Sequence, residues 1–161
     1  EQLYNEGLAL QRDNDHIAAA RKFETLDKQH PRTEWARKAQ LMLVYSHFES
    51  GKYDDAVSSG KRYVTLYPSS PDNAYISYLV ANSYYNQVPD VSRDQERSVL
   101  ALETMLQFMQ RYPKSEYAND IRYKIGVVLD QQAGDGVDDA HTVRARQGDN
   151  ESIGHSGGSR R

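Results

Sequence analysis

The sequence contains no cysteine, one tryptophan and three phenylalanines among its 161 residues. Without cysteine, a disulfide framework, a cysteine nucleophile and a thiolate-bound metal are all excluded. No apolar run is long enough to cross a membrane. The net charge is −3, whereas a nucleic-acid-binding domain usually carries a basic patch, so no nucleic-acid partner is expected. The start lacks a signal peptide, which indicates either that a leader has been removed or that the protein is cytoplasmic.

The motifs of common catalytic sites are also absent. No pair of histidines stands at metal-ligand spacing, and there is no HExxH motif. There is no GxSxG motif, no phosphate-binding loop and no glycine-rich dinucleotide fingerprint. His47 is expected to pack as a polar aromatic residue. We therefore predict a non-enzymatic protein without a cofactor, a metal or a catalytic residue.

A short pattern of proline, one variable residue and a hydroxyl residue occurs three times, beginning at Pro31, Pro68 and Pro113. Proline ends a helix because it lacks the N–H and its ring clashes with the preceding turn. A hydroxyl side chain can cap the next helix by accepting a backbone N–H. Each pattern therefore predicts a helix end followed by a helix start. The candidate caps are Thr33, Ser70 and Ser115.

Small and aromatic residues recur at fixed places before each proline, and the resulting units resemble the tetratricopeptide repeat (TPR). Small residues let paired helices approach closely, and aromatic residues fill the gap between stacked pairs. The resemblance implies an all-α, TPR-like α-solenoid of about seven helices over residues 1–130. Gly60 is expected at a close approach between helices. The matching positions are Gly7, Ala19, Phe23 and Pro31; Leu43, Gly51, Tyr53, Ala56, Tyr63 and Pro68; and Ala101, Phe108 and Pro113.

The composition changes after residue 130. Residues 131–161 contain no leucine and no aromatic residue, but they hold six of the ten glycines. Such a segment cannot bury enough apolar area to offset its ordering entropy. We predict a disordered tail over 131–161, and one hypothesis is that a frameshift made this tail foreign to the fold. Helix 7 would then lack a partner, so an exposed apolar strip containing Ile121 and Ile125 is expected.

In a TPR stack the first helix of each pair lines the hollow side, and the usual groove positions can be transferred to this sequence. Twelve tyrosines are present, and tyrosine combines a large contact area with a hydroxyl for a peptide backbone. The resemblance therefore implies a groove for an extended or helical peptide. Leu8, Leu41 and Val127 also fall on groove positions, although leucines there can be core residues. The predicted peptide-binding residues are Tyr4, Arg12, Tyr45, Phe48, Tyr78, Asn82, Tyr85 and Tyr123.

The third repeat is about eight residues longer than the second, and the added residues lie around 86–95. Insertions in solenoids emerge on one face, which is often the binding face. A tolerated surface insertion is the alternative interpretation.

Two stretches carry a more specific resemblance. Residues 67–78 read YPSSPDNAYISY, and Arg93-Asp94-Gln95 precedes a helix that ends at RYPKSEY, residues 111–117. Together with the extended third repeat, they resemble the BamD family, the TPR lipoproteins of the outer-membrane β-barrel assembly machinery. The resemblance implies a non-enzymatic scaffold at the periplasmic face of the outer membrane of Gram-negative bacteria. Its groove would bind unfolded outer-membrane protein segments.

Two features of the BamD family have no counterpart in this sequence. The acylated cysteine is absent, so attachment to the membrane through a lipid anchor is not carried over. The C-terminal repeats are absent as well, so contact with the barrel assembly subunits is not carried over either. Two alternatives remain at this point, namely another periplasmic TPR adaptor of the Tol-Pal coordinator type and a TPR fragment of a larger protein. The long loop at 86–95 favours the BamD family over the compact repeats of the coordinator.

Overall fold

The computed structural model describes residues 1–88 and 95–151, with side chains as far as residue 134. These residues form α-helices joined by turns, and no strand occurs among them. The all-α fold class predicted from the repeats is confirmed. The helices are α1 (Gln2–Arg12), α2 (His16–Gln29), α3 (Glu34–Glu49), α4 (Tyr53–Leu66), α5 (Asn73–Asn86), α6 (Gln95–Arg111) and α7 (Ala118–Glu151).

The helices stack in series. Each helix packs against the next along the chain, and α1 also touches α3 while α3 touches α5. Within the described part of the chain, no helices further apart in order pack extensively. This arrangement is that of consecutive helical hairpins, as a TPR-like solenoid requires. We call the surface formed by the first helices of the hairpins, α1, α3, α5 and α7, the inner face.

The three proline patterns end and start helices, but only one uses the predicted cap. Thr33 accepts a hydrogen bond from the backbone N–H of Ala36 at 3.1 Å, as an N-cap does. The hydroxyls of Ser70 and Ser115 instead accept the N–H two residues further on, at 3.2 Å in both cases. The prediction that these two serines cap α5 and α7 is therefore wrong. Their hydroxyls stabilise a turn that delays the start of the helix.

Two glycines permit close contact between helices. A Cβ atom on Gly7 would lie 2.6 Å from Cε1 of Phe23, and one on Gly60 would lie 2.5 Å from Cγ2 of Val80. Neither distance is possible without displacement of the neighbour. The close approach expected at Gly60 is thus confirmed, and α1 lies equally close to α2 at Gly7.

The beginning of α7 is buried, and this corrects the expectation of an exposed strip at Ile121 and Ile125. Ile121 has no exposed surface, and Ile125 is partly buried against α5 and α6. The missing partner of α7 was expected to leave these residues in solvent, but α7 turns them toward the preceding hairpin. Among the side chains of α7 described as far as residue 134, the large apolar ones that are exposed are instead Tyr123 and Leu129, at 70% and 47% exposure.

The disordered tail predicted over 131–161 begins inside α7, and the helix there does not contradict that prediction. Packing does end there, because Val128 is the last buried side chain among those described. The helix itself runs on to Glu151, although Gly134, Gly136 and Gly148 are poor helix formers. Although α7 has 34 residues, no described helix is both long and apolar enough to span a membrane. Residues 152–161 lie outside the described residues, and the division of the chain at residue 130 stays a prediction.

His47 of α3 packs on the side away from the inner face, between α2 and α4. Its Nε2 lies 3.8 Å from Oε1 of Glu24, and its side chain is 12% exposed. Burial lowers the pKa of His47 below its ordinary value, and the charge of Lys52 acts in the same direction. Asp55 and Glu24 oppose this effect but do not cancel it. Neutral His47 is therefore favoured in the folded state.

The lowered pKa of His47 predicts a loss of stability in acid. Below the ordinary histidine pKa of about 6.5, the unfolded chain binds a proton that folded His47 resists. The free energy of unfolding should therefore fall as the pH is lowered through this value, and His47→Gln should reduce the slope. Urea unfolding at several pH values between neutral and mildly acidic measures this slope. His30→Gln is the control, because His30 is exposed. A slope that His47→Gln leaves unchanged would contradict this assignment.

Candidate functional site

Tyrosine side chains line the middle of the inner face. Positions 75, 78 and 85 fall on one side of α5, because residues three, four and seven apart share a helix face. Tyr117, in the turn before α7, stacks on Tyr78 with 4.6 Å between ring centroids and meets Tyr75 at 5.6 Å. Tyr45 of α3 adjoins them and packs in the same cluster as Tyr75. We call Tyr45, Tyr75, Tyr78, Tyr85 and Tyr117 the tyrosine row.

Burial raises the pKa of the Tyr45 and Tyr75 phenols in the tyrosine row. Burial raises the pKa of Tyr75 to about 12, with further contributions from Tyr45 and the Glu49 carboxylate. Burial also raises the pKa of Tyr45, and Glu49 again adds to the effect. Both hydroxyls therefore remain protonated near neutral pH and can donate hydrogen bonds.

A set of polar side chains joins α5 to α7 beside the tyrosine row. Lys124 Nζ donates to Asp120 Oδ2 at 2.8 Å and to Asn82 Oδ1 at 2.7 Å. The Tyr78 hydroxyl donates to the same Asp120 oxygen at 2.6 Å. We call Tyr78, Asn82, Asp120 and Lys124 the clamp.

The charges of the clamp balance within it. Burial alone would raise the pKa of Asp120, but hydrogen bonds from Lys124 and Tyr78 outweigh burial and hold it below its ordinary value. The Lys124 ammonium also lies 5.7 Å from the ring centroid of Tyr78 and 5.3 Å from that of Tyr85. Such positions over aromatic rings are favourable for a cation. The clamp therefore presents a neutralised ion pair rather than a free charge.

Four of the predicted groove residues come together here. Tyr45, Tyr78 and Tyr85 belong to the tyrosine row, and Asn82, which is buried, belongs to the clamp. The grouping of these residues is as the repeat pattern predicts, whereas their role in peptide binding stays a prediction.

The other predicted groove residues lie elsewhere. Tyr4 packs in the core of the first hairpin, with its ring centroid 5.9 Å from Phe23 and 5.4 Å from Trp35. Phe48 packs edge-on against Tyr53, with 5.7 Å between ring centroids. Leu8 and Leu41 are partly buried against the core, which is the alternative expected for leucines. Arg12 and Tyr123 are exposed, and Val127 is partly buried.

Four residues of the site were not identified from the sequence. Tyr75 stands one helical turn before Tyr78, and this spacing was a usable signal. Asp120 and Lys124 form an i,i+4 pair of opposite charge, which is common on helix surfaces and gives little indication of a site. Tyr117 lies in a turn, where helical periodicity cannot place it.

The insertion in the third repeat is described only in part. Asn86 Nδ2 donates to the Tyr53 hydroxyl at 3.3 Å at the end of α5. Residues 89–94 lie outside the described residues, so the prediction that the insertion forms part of the binding face concerns a segment not described. In the described part of the chain, no three His, Asp or Glu side chains are arranged to hold a metal ion.

The sequence and its repeats match a known family. The family model described as "Outer membrane lipoprotein" (YfiO) matches residues 1–142. The outer membrane protein assembly factor BamD of Caulobacter vibrioides is 41% identical over 134 residues, which cover 83% of this chain and 44% of that protein. BamD of Rickettsia prowazekii is 37% identical over 132 residues, covering 82% of this chain and 53% of that protein.

A third relative, BamD of Xylella fastidiosa strain Temecula1, is 30% identical over 132 residues and is covered to 45% of its length. The chain thus spans about half the length of the curated relatives it matches. These matches confirm the predicted resemblance and favour it over the Tol-Pal coordinator. Because the family model matches most of the sequence, the chain belongs to the outer membrane lipoprotein family YfiO, to which its BamD relatives point.

Proposed function

We propose that this chain is the substrate-receiving part of an outer-membrane β-barrel assembly factor. In this role it binds unfolded segments of outer-membrane proteins along the tyrosine row. Membership of the family places the chain at the periplasmic face of the outer membrane of Gram-negative bacteria. The relatives are named as assembly factors, and this supports the prediction of a non-enzymatic protein.

The observation that carries the proposal is the continuity of the tyrosine row from α3 through α5 to the turn before α7. Its members come from α3, α5 and the turn before α7, so a bound chain could touch all three in an extended conformation. Tyrosine side chains offer a large contact area with only two rotatable angles, so little entropy is lost on binding. Such a surface suits segments of varied sequence.

The barrel assembly subunits are the second class of partner implied by the relatives. The matched part covers about half of each relative. Contacts that depend on the remaining half are therefore not assigned to this chain. The proposal is limited to binding of unfolded substrate by the inner face.

Peptide capture tests the proposed function. The wild-type chain and the double variant Tyr45→Ala plus Tyr85→Ala are passed over an immobilised peptide from the C-terminal strand of an outer-membrane barrel. We expect the double variant to bind at least about tenfold more weakly, because buried tyrosines are frequent hot spots. The control is Tyr84→Ala, since Tyr84 lies on the same helix but faces Lys61 of α4. Equal capture by the wild type and the double variant would contradict peptide binding along the tyrosine row.

A further inference from the structure

Three hydroxyls of the tyrosine row differ in their hydrogen bonding. The Tyr78 hydroxyl already donates to Asp120 at 2.6 Å. The hydroxyls of Tyr45 and Tyr75 have no hydrogen-bond partner among the described residues. Both side chains are partly buried, and this burial disfavours the charged form of both phenols. A partly desolvated donor without a partner favours a ligand that supplies an acceptor.

We propose that the hydroxyls of Tyr45 and Tyr75 bind the backbone carbonyls of an extended peptide, while the polar groups of the clamp position α7 and donate no hydrogen bond to the peptide. This inference rests on the proposed function and assigns separate roles within its surface. Tyr75 thereby becomes a binding residue that the groove positions of the repeat did not include. Tyr78 and Asn82, which those positions did include, become positioning residues.

The charges around the two hydroxyls indicate which acceptor they bind. Glu49 is near enough to both phenols to raise the pKa of each. A carboxylate at this place repels an anionic acceptor, such as a peptide C-terminus or an acidic side chain. A neutral amide carbonyl carries no such penalty. The acceptor is therefore assigned to the peptide backbone, which every segment offers whatever its sequence.

The clamp also indicates that the bound acceptor is a neutral carbonyl and not a carboxylate. Lys124 is the cation beside the tyrosine row, but its ammonium is bonded to Asp120 and Asn82 and is only 19% exposed. Using it to bind a carboxylate would require breaking both bonds. The clamp consequently fixes α7 against α5, and so sets the position of Tyr117 in the tyrosine row.

Single Tyr→Phe variants separate the two roles, because each removes one hydroxyl and keeps the ring. Binding of a fluorescent strand peptide is followed by anisotropy, and stability by thermal unfolding. Tyr45→Phe and Tyr75→Phe should each weaken binding about three- to tenfold, the usual effect of one lost hydrogen bond. Neither should lower the melting temperature, since neither hydroxyl has a partner in the fold.

Tyr78→Phe should show the opposite pattern. It removes a hydrogen bond within the clamp, so the melting temperature should fall while the affinity changes by less than about twofold. Tyr84→Phe is the matched control for binding, because its hydroxyl lies at the α4 side of α5. An affinity unchanged in both Tyr45→Phe and Tyr75→Phe would overturn the inference while leaving the proposed function in place.

Two altered peptides test the acceptor itself. A peptide with an amidated C-terminus and one of scrambled sequence should both bind within about threefold of the original, because both keep the backbone carbonyls that accept from Tyr45 and Tyr75. A free carboxylate that improves binding by about tenfold or more, or a scrambled peptide that fails to bind, would overturn backbone recognition. If the wild-type chain binds none of these peptides, the proposed function fails, and the inference fails with it.

Discussion

Replacing Phe23 with alanine is expected to lower the free energy of unfolding by about 3–5 kcal/mol, the usual cost of removing a buried aromatic side chain. Phe23 has no exposed surface and packs among α1, α2 and α3. Its ring lies directly over Gly7, so its loss would leave a cavity where two helices are closest. Urea unfolding followed by circular dichroism measures the change. Ile17→Ala on the same helix is the control, because Ile17 is 49% exposed.

A second substitution tests whether the close contact between Phe23 and Gly7 contributes to the stability of the fold. Gly7→Ala alone should destabilise the protein by about 1–3 kcal/mol, because the new methyl group would lie 2.6 Å from the Phe23 ring. In the Phe23→Ala background the ring is absent, and alanine should instead improve helix propensity by about 1 kcal/mol. The two effects should therefore not add. Strict additivity would contradict the close packing of α1 on α2.

Asp27→Ala is expected to lower the free energy of unfolding by about 2–3 kcal/mol, because it leaves a buried amide without its acceptor. Asp27 Oδ1 accepts a hydrogen bond from Gln40 Nε2 at 2.7 Å, and Asp27 Oδ2 accepts one from Arg62 at 3.0 Å. Gln40 is 6% exposed, and its own Oε1 already lacks a partner in the fold. Losing Asp27 would leave the whole Gln40 amide unsatisfied.

The two partners of Asp27 should differ in importance. The side chain of Arg62 is 58% exposed and can return to water when the pair is broken. Arg62→Ala should therefore cost less than Asp27→Ala, because Gln40 still donates to the Asp27 carboxylate, which is itself only 11% exposed. Guanidinium-chloride unfolding of both variants makes the comparison. A loss in Arg62→Ala as large as that in Asp27→Ala would show that the ion pair, and not the buried amide, is the stabilising contact.

The repeat pattern predicted the helices because their ends depend on local chemistry. Proline at 31, 68 and 113 ends or separates helices whatever lies around it, and Gly51 adopts the positive φ of 73° that ends α3. The caps were less predictable. A serine can bond to an amide two or three residues further on, and the choice between them depends on the turn that the chain makes.

Residues whose position depends on contacts between hairpins were harder to predict. Arg62 of α4 donates to Asp27 of α2, and no local pattern in the sequence indicates this contact. Ile121 was expected in solvent but is buried. Its burial depends on how α7 is rotated against α6, and the sequence does not show this rotation. The clamp joins side chains 42 residues apart, and no local pattern indicates such pairs. Tyr45, Tyr78 and Tyr85 of the tyrosine row were predicted, because they fall on the groove positions of the repeat.

The central claim is that the inner face receives unfolded outer-membrane protein. Two adjacent tyrosines of α5 test it, since Tyr85 lies beside Lys124 on the inner face and Tyr84 bonds to Lys61 of α4. A photoreactive benzoylphenylalanine is placed at either position, and the chain is irradiated with an unfolded outer-membrane barrel protein. The account predicts strong cross-linking from position 85 and little from position 84. Equal cross-linking from both positions, or cross-linking from position 84 alone, would contradict it.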